Sequence, residues 1–565
     1  MRKMRKPLLV MVSLFLVLVT ALAGCSKSGD GNTSNPGTTV KNEEKKENNE
    51  NKEPPAENTD SKWVLGEKPL EFSAYAHYNN SDFPKYESTP IGKYLSEEKQ
   101  VKINMIAAAG AHSQKLSAMM ASDELPEMIW TDRNHPDMER LLKAGKLVAF
   151  DEYLDKYPNL KTWMGDDLNM LRAEDGKLYM FPNWYSANPF GNAGYVVNKK
   201  IYEELGKPKL ETTDDLYDYL VKVKAKYGDS IIPFEPHRAQ DMQGLGVLYT
   251  AFGEGALYTY LNSGLRAVPK DGKLTSVLTD PVFREAQKYI AKLYREKLIS
   301  QDAFNQTEDQ VLEKVMTGRV AVFAGSSPTT FAGEAQPELI KNDPNGGYFM
   351  IWPIHKPGLD KNKIYPGTYT SFGWNAAYIT TAAKDPEAIF AFLDWYTSPE
   401  GMNVQFFGPE GKNWKGFDEE GKPNFPETYD PKEVAEIQTK NEPVMFVGNT
   451  SYIDPAKYKY MAKLPFEEQD WRTRYQQTIT WPTQYNVTEF INLNPDPESE
   501  EGVIQTSVDE MFLEIYAKSV MAGSDEEVDQ ILDQGNKDLV GLGYEKLLEW
   551  RTAKWQDNLT KMNKK

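Results

Sequence analysis

The stretch Leu70-Glu-Phe-Ser-Ala-Tyr-Ala76 largely alternates apolar and polar side chains, a pattern that predicts a strand. An amphipathic segment follows at 91–98, and Val101-Lys-Ile-Asn-Met-Ile106 has the character of a second strand. A helical segment at 114–122 then leads to the short apolar run Glu127-Met-Ile-Trp130. This βαβαβ order predicts an α/β fold with a mostly parallel sheet, because helical crossovers join parallel strands. Ligands of such sheets lie beyond the carboxyl ends of the strands.

The part of the chain that follows residue 61 is too long for one hydrophobic core. Aromatic residues are absent from 26–61, return at Trp63 and stay frequent to the end. Single cores rarely grow beyond about 250–300 residues, and roughly 500 residues remain here. The sequence therefore predicts at least two lobes.

The first 24 residues have the pattern of a secretory signal peptide. Residues 2–6 carry four basic side chains, 8–19 are apolar except for Ser13, and small residues then precede Cys25. A basic start, a short apolar run and small residues at the end are typical of a cleaved signal. An uncleaved anchor is the alternative, since 8–24 is 17 residues long, the lower limit for crossing a bilayer.

Cys25 is the only cysteine of the chain, so it has no internal disulfide partner. The tetrapeptide Leu22-Ala-Gly-Cys25 resembles the lipobox of bacterial lipoproteins. The resemblance implies that the Cys25 sulfur receives a diacylglycerol and becomes the first mature residue. Residues 26–61 are almost free of apolar side chains and cannot offset the entropy of folding. We therefore expect 25–61 to be a lipidated cysteine followed by a disordered tether.

The charge of the chain excludes some classes of partner. The net charge is −18, and removing the four basic residues of the signal leaves about −22. Binding to nucleic acid or to anionic lipid requires a concentrated basic surface, so neither is expected. The acidic excess itself indicates solubility and names no ligand.

A series of short motifs occurs in order through the body of the chain. They are Met119–Trp130, Gly145–Tyr153, Asp175–Pro182, Gly194–Gly206, Met316–Gly325, Trp374–Gly401 and Gly408–Trp414. In this order they resemble the extracellular solute-binding proteins of ABC importers, the group that includes the maltodextrin-binding proteins, and especially its long lipoprotein branch. Two positions depart from the family pattern, because Ser122 replaces a Gly and Val197 replaces a Tyr.

The resemblance implies a two-lobed periplasmic-binding-protein-like fold with a hinge and a ligand cleft between the lobes. The chain is expected to cross between lobes near 149–151, between 353 and 370, and after Phe407. The expected lobes are 62–150 with about 366–405, and 151–365 with about 406–565. Ligand binding would close the hinge, since both lobes contact the ligand only in the closed form.

Sugar recognition needs flat apolar faces for the ring and polar groups for the hydroxyls. Trp130, Asp132 and Arg133 follow a predicted strand, and the matching loop of the family offers an aromatic, an Asp and an Arg. The alternative is a core tryptophan beside a surface ion pair. His77 and Tyr78 follow the first strand and could line the opposite rim, although an isolated histidine is more often structural.

The remaining candidates come from motifs further along the chain. The family reads sugar with a Glu-Pro-Tyr element, for which this chain has Glu235-Pro-His237. The other expected ligand-binding residues are Trp184, Tyr185, Ser326, Trp374 and Asn375. For the last two, core and cleft are equally acceptable positions.

No pattern indicates catalysis, a metal or a cofactor. The five histidines lack metal-binding spacing, and there is neither a phosphate-binding glycine loop nor an EF-hand pattern. The expected function is therefore a lipid-anchored, monomeric receptor on the extracytoplasmic face of the cell membrane. It would deliver a carbohydrate, in particular an oligosaccharide, to ABC permease subunits. The alternatives are a ligand sensor for a membrane kinase and a secreted lipoprotein glycosidase.

Overall fold

The computed structural model describes residues 62–78, 85–108, 110–133, 135–185, 193–237, 239–326 and 328–563. The expected signal peptide (1–24), Cys25 and the expected tether (25–61) lie outside these residues. Residues 62–565 form one compact unit. Among the described residues, no helix is long and apolar enough to span a membrane.

The strands are numbered in chain order. They are β1 (Leu70–Ala76), β2 (Val101–Ile106), β3 (Met128–Asp132), β4 (Phe181–Pro182), β5 (Gly194–Asn198), β6 (Ile232–Pro236), β7 (Ala267–Lys270), β8 (Lys273–Ser276), β9 (Val320–Gly325), β10 (Tyr348–Ile351), β11 (Gly367–Tyr369), β12 (Asn375–Ile379) and β13 (Gln484–Asn486).

The α-helices are numbered in the same way. They are α1 (Pro90–Glu98), α2 (His112–Ser122), α3 (Pro136–Lys143), α4 (Asn159–Met164), α5 (Lys199–Glu204), α6 (Thr213–Tyr227), α7 (Ala239–Thr250), α8 (Pro281–Arg295), α9 (Glu308–Met316), α10 (Pro328–Asn342), α11 (Pro386–Tyr396), α12 (Pro399–Phe407), α13 (Pro431–Asn441), α14 (Thr450–Met461), α15 (Trp471–Tyr475), α16 (Glu500–Val520), α17 (Asp525–Gly541) and α18 (Tyr544–Lys561).

The first sheet has the strand order β2-β1-β3-β12-β4. Strand β1 pairs in parallel with both β2 and β3, with Leu70 opposite Val101 and Ala76 opposite Trp130. Strand β12 runs antiparallel to its neighbours β3 and β4. The predicted βαβαβ opening is confirmed, and strands β1 and β2 have the predicted bounds.

The second sheet has the order β10-β5-β9-β6. Strands β6 and β9 are parallel, whereas β5 is antiparallel to both β9 and β10. A hairpin of β7 and β8 and a parallel pair of β11 with β13 complete the strand pairing that the described residues contain. The molecule is thus an α/β protein with two separate main sheets.

Each main sheet has its own hydrophobic core. The first core draws its side chains from 63–185 and 372–456, with Met562 from the end of α18. A core beside the second sheet draws on 193–354 and on 508–547 in the last helices. The chain passes from one core to the other after Tyr185, again between Ile354 and Phe372, and after Ala456.

These cores differ from the lobe boundaries expected from sequence. Residues 151–185 pack with the first sheet because β4 pairs with β12, and because the ring of Phe390 lies 5.6 Å from each of Tyr153 and Phe181. Residues 406–456 also join the first core, where the ring of Phe407 contacts Phe425. The expected crossing near 149–151 is therefore replaced by one after Tyr185.

Candidate ligand-binding site

The candidate residues of the first lobe gather at one edge of its sheet. Strands β1 and β3 are parallel and end just before His77 and at Asp132, respectively. Strand β12 is antiparallel to β3 and begins at Asn375, which lies opposite Asp132. Strand β4 ends just before Asn183, whose N–H donates to the Asn375 carbonyl at 3.0 Å. Distant parts of the chain therefore meet at the carboxyl edge of β1 and β3.

Three aromatic rings form a group at this edge. The Tyr78 ring meets Trp130 and Trp374 edge to face, with ring centroids 5.3 and 5.6 Å apart. Trp374 is 64% exposed, whereas Trp130 is 9% exposed and packs on Phe446. Trp130 therefore belongs to the core, as in the alternative raised from sequence, and Trp374 offers an open aromatic face to a ligand.

Arg133 holds the segment before Trp374 in place. Its Nε donates to the Gly373 carbonyl at 3.2 Å, and its guanidinium lies 4.7 Å from the centre of the Phe372 ring. Its backbone N–H donates to the Trp374 carbonyl at 2.9 Å. Burial lowers the pKa of Arg133 to about 10. These contacts give Arg133 a positioning role in the protein, and its expected ligand contact stays a prediction.

Trp184 and Tyr185 differ although they are neighbours in sequence. Tyr185 is fully buried in the first core, so the expectation that it lines a cleft is not met. Trp184 is half-buried, adopts a positive φ of 48° and meets the ring of Phe406 edge to face. Its indole lies so close to Gly448 that a Cβ there would approach Trp184 Cε3 to 2.3 Å. The contacts with Phe406 and Gly448 thus fix the orientation of the Trp184 side chain.

Two buried amides at the same edge have unused hydrogen-bonding groups. Both side-chain polar atoms of Asn183 and the Oδ1 of Asn375 have no hydrogen-bond partner among the described residues. Asn183 is 1% exposed and Asn375 2%. Buried polar groups are normally paired, so these amides are suited to a ligand hydroxyl or an ordered water. Sequence analysis did not single out Asn183, although it directly precedes Trp184.

The corresponding edge of the second sheet presents His237 and Ser326. Strands β6 and β9 are parallel, and these residues directly follow their ends. Ser326 Oγ lies 3.3 Å from His237 Nδ1, and His237 Nε2 lies 3.3 Å from a carboxylate oxygen of Glu308. Burial lowers the pKa of His237, and Glu308 opposes this effect. His237 is 3% exposed and Ser326 is half-buried, and the expected ligand contact of each stays a prediction.

Glu235 faces away from that rim into a buried ion pair. It is 0% exposed, and Lys314 Nζ donates to its Oε2 at 3.1 Å. Gln306 donates to the other carboxylate oxygen, and Lys314 also reaches Asp302 at 2.8 Å. Burial raises the pKa of Glu235, while Gln306 and Lys314 act in the opposite direction. The expected ligand contact of Glu235 is therefore corrected to an internal role.

Three histidines that are far apart in sequence come together beside the first edge. The ring of His77 lies 4.4 Å from that of His135 and 4.9 Å from that of His112. The pKa of His77 is lowered to about 4, chiefly by burial and also by the neighbouring His135 and His112, while Asp137 acts in the opposite direction. Linear spacing did not reveal this cluster, because its members lie at the ends of three different elements: His77 after β1, His112 at the start of α2 and His135 before α3.

Two α/β lobes, each with candidate binding residues at the edge of its sheet, define a two-lobed ligand-binding protein. The profile of the bacterial extracellular solute-binding proteins matches residues 80–403. The chain therefore belongs to that family. The resemblance found from its motifs is confirmed.

Two curated relatives share part of this chain. The fructooligosaccharide ABC transporter substrate-binding protein FusA of Streptococcus pneumoniae serotype 4 is 27% identical over 239 residues, 39% of this chain and 43% of FusA. Lipoprotein LipO of Bacillus subtilis is 24% identical over 230 residues, 40% of this chain and 43% of LipO. The matched regions thus cover less than half the length of each of these two relatives.

Solved structures support the fold over a larger share of the chain. An "HMO binding", ABC-transporter associated solute-binding protein from Bifidobacterium longum infantis superposes with a TM-score of 0.63. The alignment covers 86% of this chain and 98% of that protein at 16% identity. Likeness at this identity establishes the fold alone, and the expected two-lobed α/β fold is confirmed.

Proposed function

We propose that this protein is a lipid-anchored extracellular receptor that binds a carbohydrate and delivers it to an ABC permease. The observation that carries the proposal is the edge of the first sheet, where an exposed Trp374 stands beside the buried amides of Asn183 and Asn375. A flat apolar face next to polar groups without partners is the chemistry that a sugar ring and its hydroxyls require.

The proposed ligand is an oligosaccharide. Trp374 and the half-buried Tyr78 and Trp184 flank the strand ends and provide aromatic surface for more than one ring. At the second sheet, the half-buried Ser326 offers a hydroxyl for a closed form, and the buried His237 lies behind it. The names of FusA and of the Bifidobacterium protein, which refer to fructooligosaccharide and to HMO, support this ligand class.

The proposed anchor is the lipid on Cys25, which keeps the receptor at the extracytoplasmic face of the membrane. The lipobox-like Leu22-Ala-Gly-Cys25 supports this assignment, as does the lipoprotein name of the relative LipO. In this proposal the protein acts as a monomer, and it is a binding protein rather than an enzyme. Its partners are the sugar and the permease subunits, to which the closed form would dock.

The experiment uses residues 62–565, a compact unit that contains every member of the hydrophobic cores described above. A panel of oligosaccharides is screened by thermal shift, because a ligand at 100 times its Kd stabilises the folded state by about 2.7 kcal/mol. At least one glycan should raise the Tm and change the tryptophan fluorescence, and Trp374→Ala should reduce both effects at the same glycan concentration. A panel of glycans and peptides in which only a peptide shifts the Tm would contradict the carbohydrate proposal.

A further inference from the structure

We propose that His77, His135 and Asp137 form a binding site for a zinc-like divalent metal ion beside the first-lobe edge. One ligand atom from each of the three residues lies within 4.8 Å of the other two. Neither the family profile nor the names of the similar proteins assign such a site. The inference does not rest on the carbohydrate proposal, since its residues and its test are separate.

The topology explains how these residues meet. His77 directly follows β1, and its N–H donates to the Trp130 carbonyl of the neighbouring β3 at 2.9 Å. The chain leaves β3 and begins α3, where His135 is the N-cap and Asp137 lies in the first turn. Because β1 and β3 are adjacent and parallel, His77 after β1 lies close to His135 and Asp137 after β3. The His77 and His135 rings are 4.4 Å apart.

The hydrogen bonding of His77 leaves one nitrogen for a ligand. His77 is 2% exposed, and its Nδ1 lies 3.1 Å from Thr131 Oγ1. Its Nε2 is buried and has no hydrogen-bond partner among the described residues. Leaving such a group unpaired costs about 1–3 kcal/mol, so an occupant is expected. Fixing one ring nitrogen by a hydrogen bond while the other binds is the usual arrangement of a metal-ligating histidine.

The two carboxylate oxygens of Asp137 face different groups. Asp137 is 6% exposed, and Arg140 Nη1 donates to its Oδ1 at 2.8 Å. Its Oδ2 lies 3.8 Å from His135 Nδ1. The Asp137 N–H donates to that same Nδ1 at 3.2 Å, a contact that a metal bound through Nδ1 would replace. His135 and Asp137 can then bind one ion together.

The donor set selects the kind of ion. Imidazole nitrogens suit zinc, copper, nickel and iron, whereas calcium and magnesium prefer oxygen ligands. Zinc–nitrogen bonds of about 2.0–2.1 Å require the three donors to move closer by roughly 1 Å, which side-chain rotation can provide. Three protein ligands leave a fourth coordination position open. The ring of His112 is near this site, with its centroid 4.9 Å from that of His77.

The test measures zinc binding to untagged residues 62–565, which contain no cysteine that could bind the metal instead. After treatment with a chelator, the protein is titrated with ZnCl₂ by calorimetry and by thermal shift. We expect one zinc ion per chain and a raised Tm. Asp137→Asn and His135→Gln should each weaken zinc binding at least tenfold. Excess CaCl₂ should not compete, and Co²⁺ should give visible bands that differ from those of aqueous Co²⁺.

His355→Gln is the matched control, because it removes an imidazole from the second lobe and leaves the cluster intact. Its zinc affinity should equal that of the unmodified protein. Asp137→Asn and His135→Gln are checked for an unchanged metal-free Tm, so that loss of binding is separated from misfolding. The proposal is overturned if zinc does not saturate at one site, or if these two variants bind zinc as tightly as the control. In that case, the buried Nε2 of His77 would be hydrogen-bonded to a water molecule instead of a metal ion.

Discussion

Tyr78 and Trp374 meet edge to face with their ring centroids 5.6 Å apart, at the end of β1 and the start of β12. Tyr78 is half-buried between Trp130 and Trp374, and only Trp374 is largely open to solvent. The contact places a partly fixed ring beneath an exposed one. A ligand that stacks on Trp374 therefore meets a surface whose orientation is already set, which limits the ordering cost of binding.

Trp374→Ala should weaken carbohydrate binding by about 1–4 kcal/mol, as is found for aromatic anchors. Its effect on the free energy of unfolding should be small, because the side chain is 64% exposed. Trp130→Ala is the matched comparison and should reverse the pattern, costing about 3–5 kcal/mol of stability because its ring is buried against Phe446. Chemical denaturation and glycan titration of both variants measure the contrast. Equal losses of stability would contradict the assignment.

Gly448→Ala should destabilise the protein by about 1–3 kcal/mol, because a methyl group there would overlap the indole of Trp184. Ligand affinity should fall as well if Trp184 is a rim residue, since the ring must move. Gly541→Ala is the control: it lies at the end of α17 with no atom within 4 Å of the added Cβ. Urea denaturation should place that variant at or above the stability of the unmodified protein.

Lys314→Met should cost about 3–5 kcal/mol at neutral pH, because it leaves the buried Glu235 carboxylate without its cation. Burial already raises the pKa of Glu235, and losing Lys314 raises it further. The folded variant then binds a proton that the unfolded chain releases, so its stability rises as the pH falls toward the ordinary pKa of glutamate. Denaturation at pH 8 and pH 5 should show a smaller deficit at pH 5.

The double variant Lys314→Met, Glu235→Gln is the control for that experiment. It removes both charges, so most of the lost stability should return and the pH dependence of the deficit should disappear. A double variant as unstable at pH 8 as Lys314→Met alone would show that the loss came from packing rather than from the unpaired charge.

His237 should make the protein sensitive to mild acid. Burial lowers the pKa of His237 in the folded state, so the unfolded chain binds a proton more readily. The stability that this residue contributes is present above its unfolded pKa, near 6.5, and is lost as the pH falls toward the folded value. His237→Gln should flatten the fall in Tm below pH 6.5. An unchanged slope would mean that His237 has the same pKa in the folded and the unfolded protein.

Cys25→Ala in the full chain should abolish lipid attachment and leave the precursor unprocessed by the lipoprotein signal peptidase. Labelled palmitate and membrane fractionation measure both effects. Ser26→Ala, which leaves Leu22-Ala-Gly-Cys25 intact, is the control and should be lipidated normally. Palmitate incorporated into Cys25→Ala would contradict the proposed anchor.

Several features followed from local sequence. The bounds of β1 and β2 were predicted because their side chains have the character of sheet strands, and β3 was displaced by only one or two residues. The family could also be recognised, because its motifs are short, continuous and ordered. His77, Asp132 and Asn375 could be placed at strand ends because the strands next to them have recognisable local patterns.

Tertiary packing decided which of those residues are open to solvent. Phe446 covers Trp130, and Lys314 neutralises Glu235, although in both cases the partner is remote in sequence. Local periodicity cannot report such pairs, because burial depends on which distant segments pack there. The same applies to the amides of Asn183 and Asn375 and to the histidine cluster. The sequence alone thus determined the positions of the first strands and the family. The exposure and the partners of each site residue were decided by how distant segments pack into the two cores.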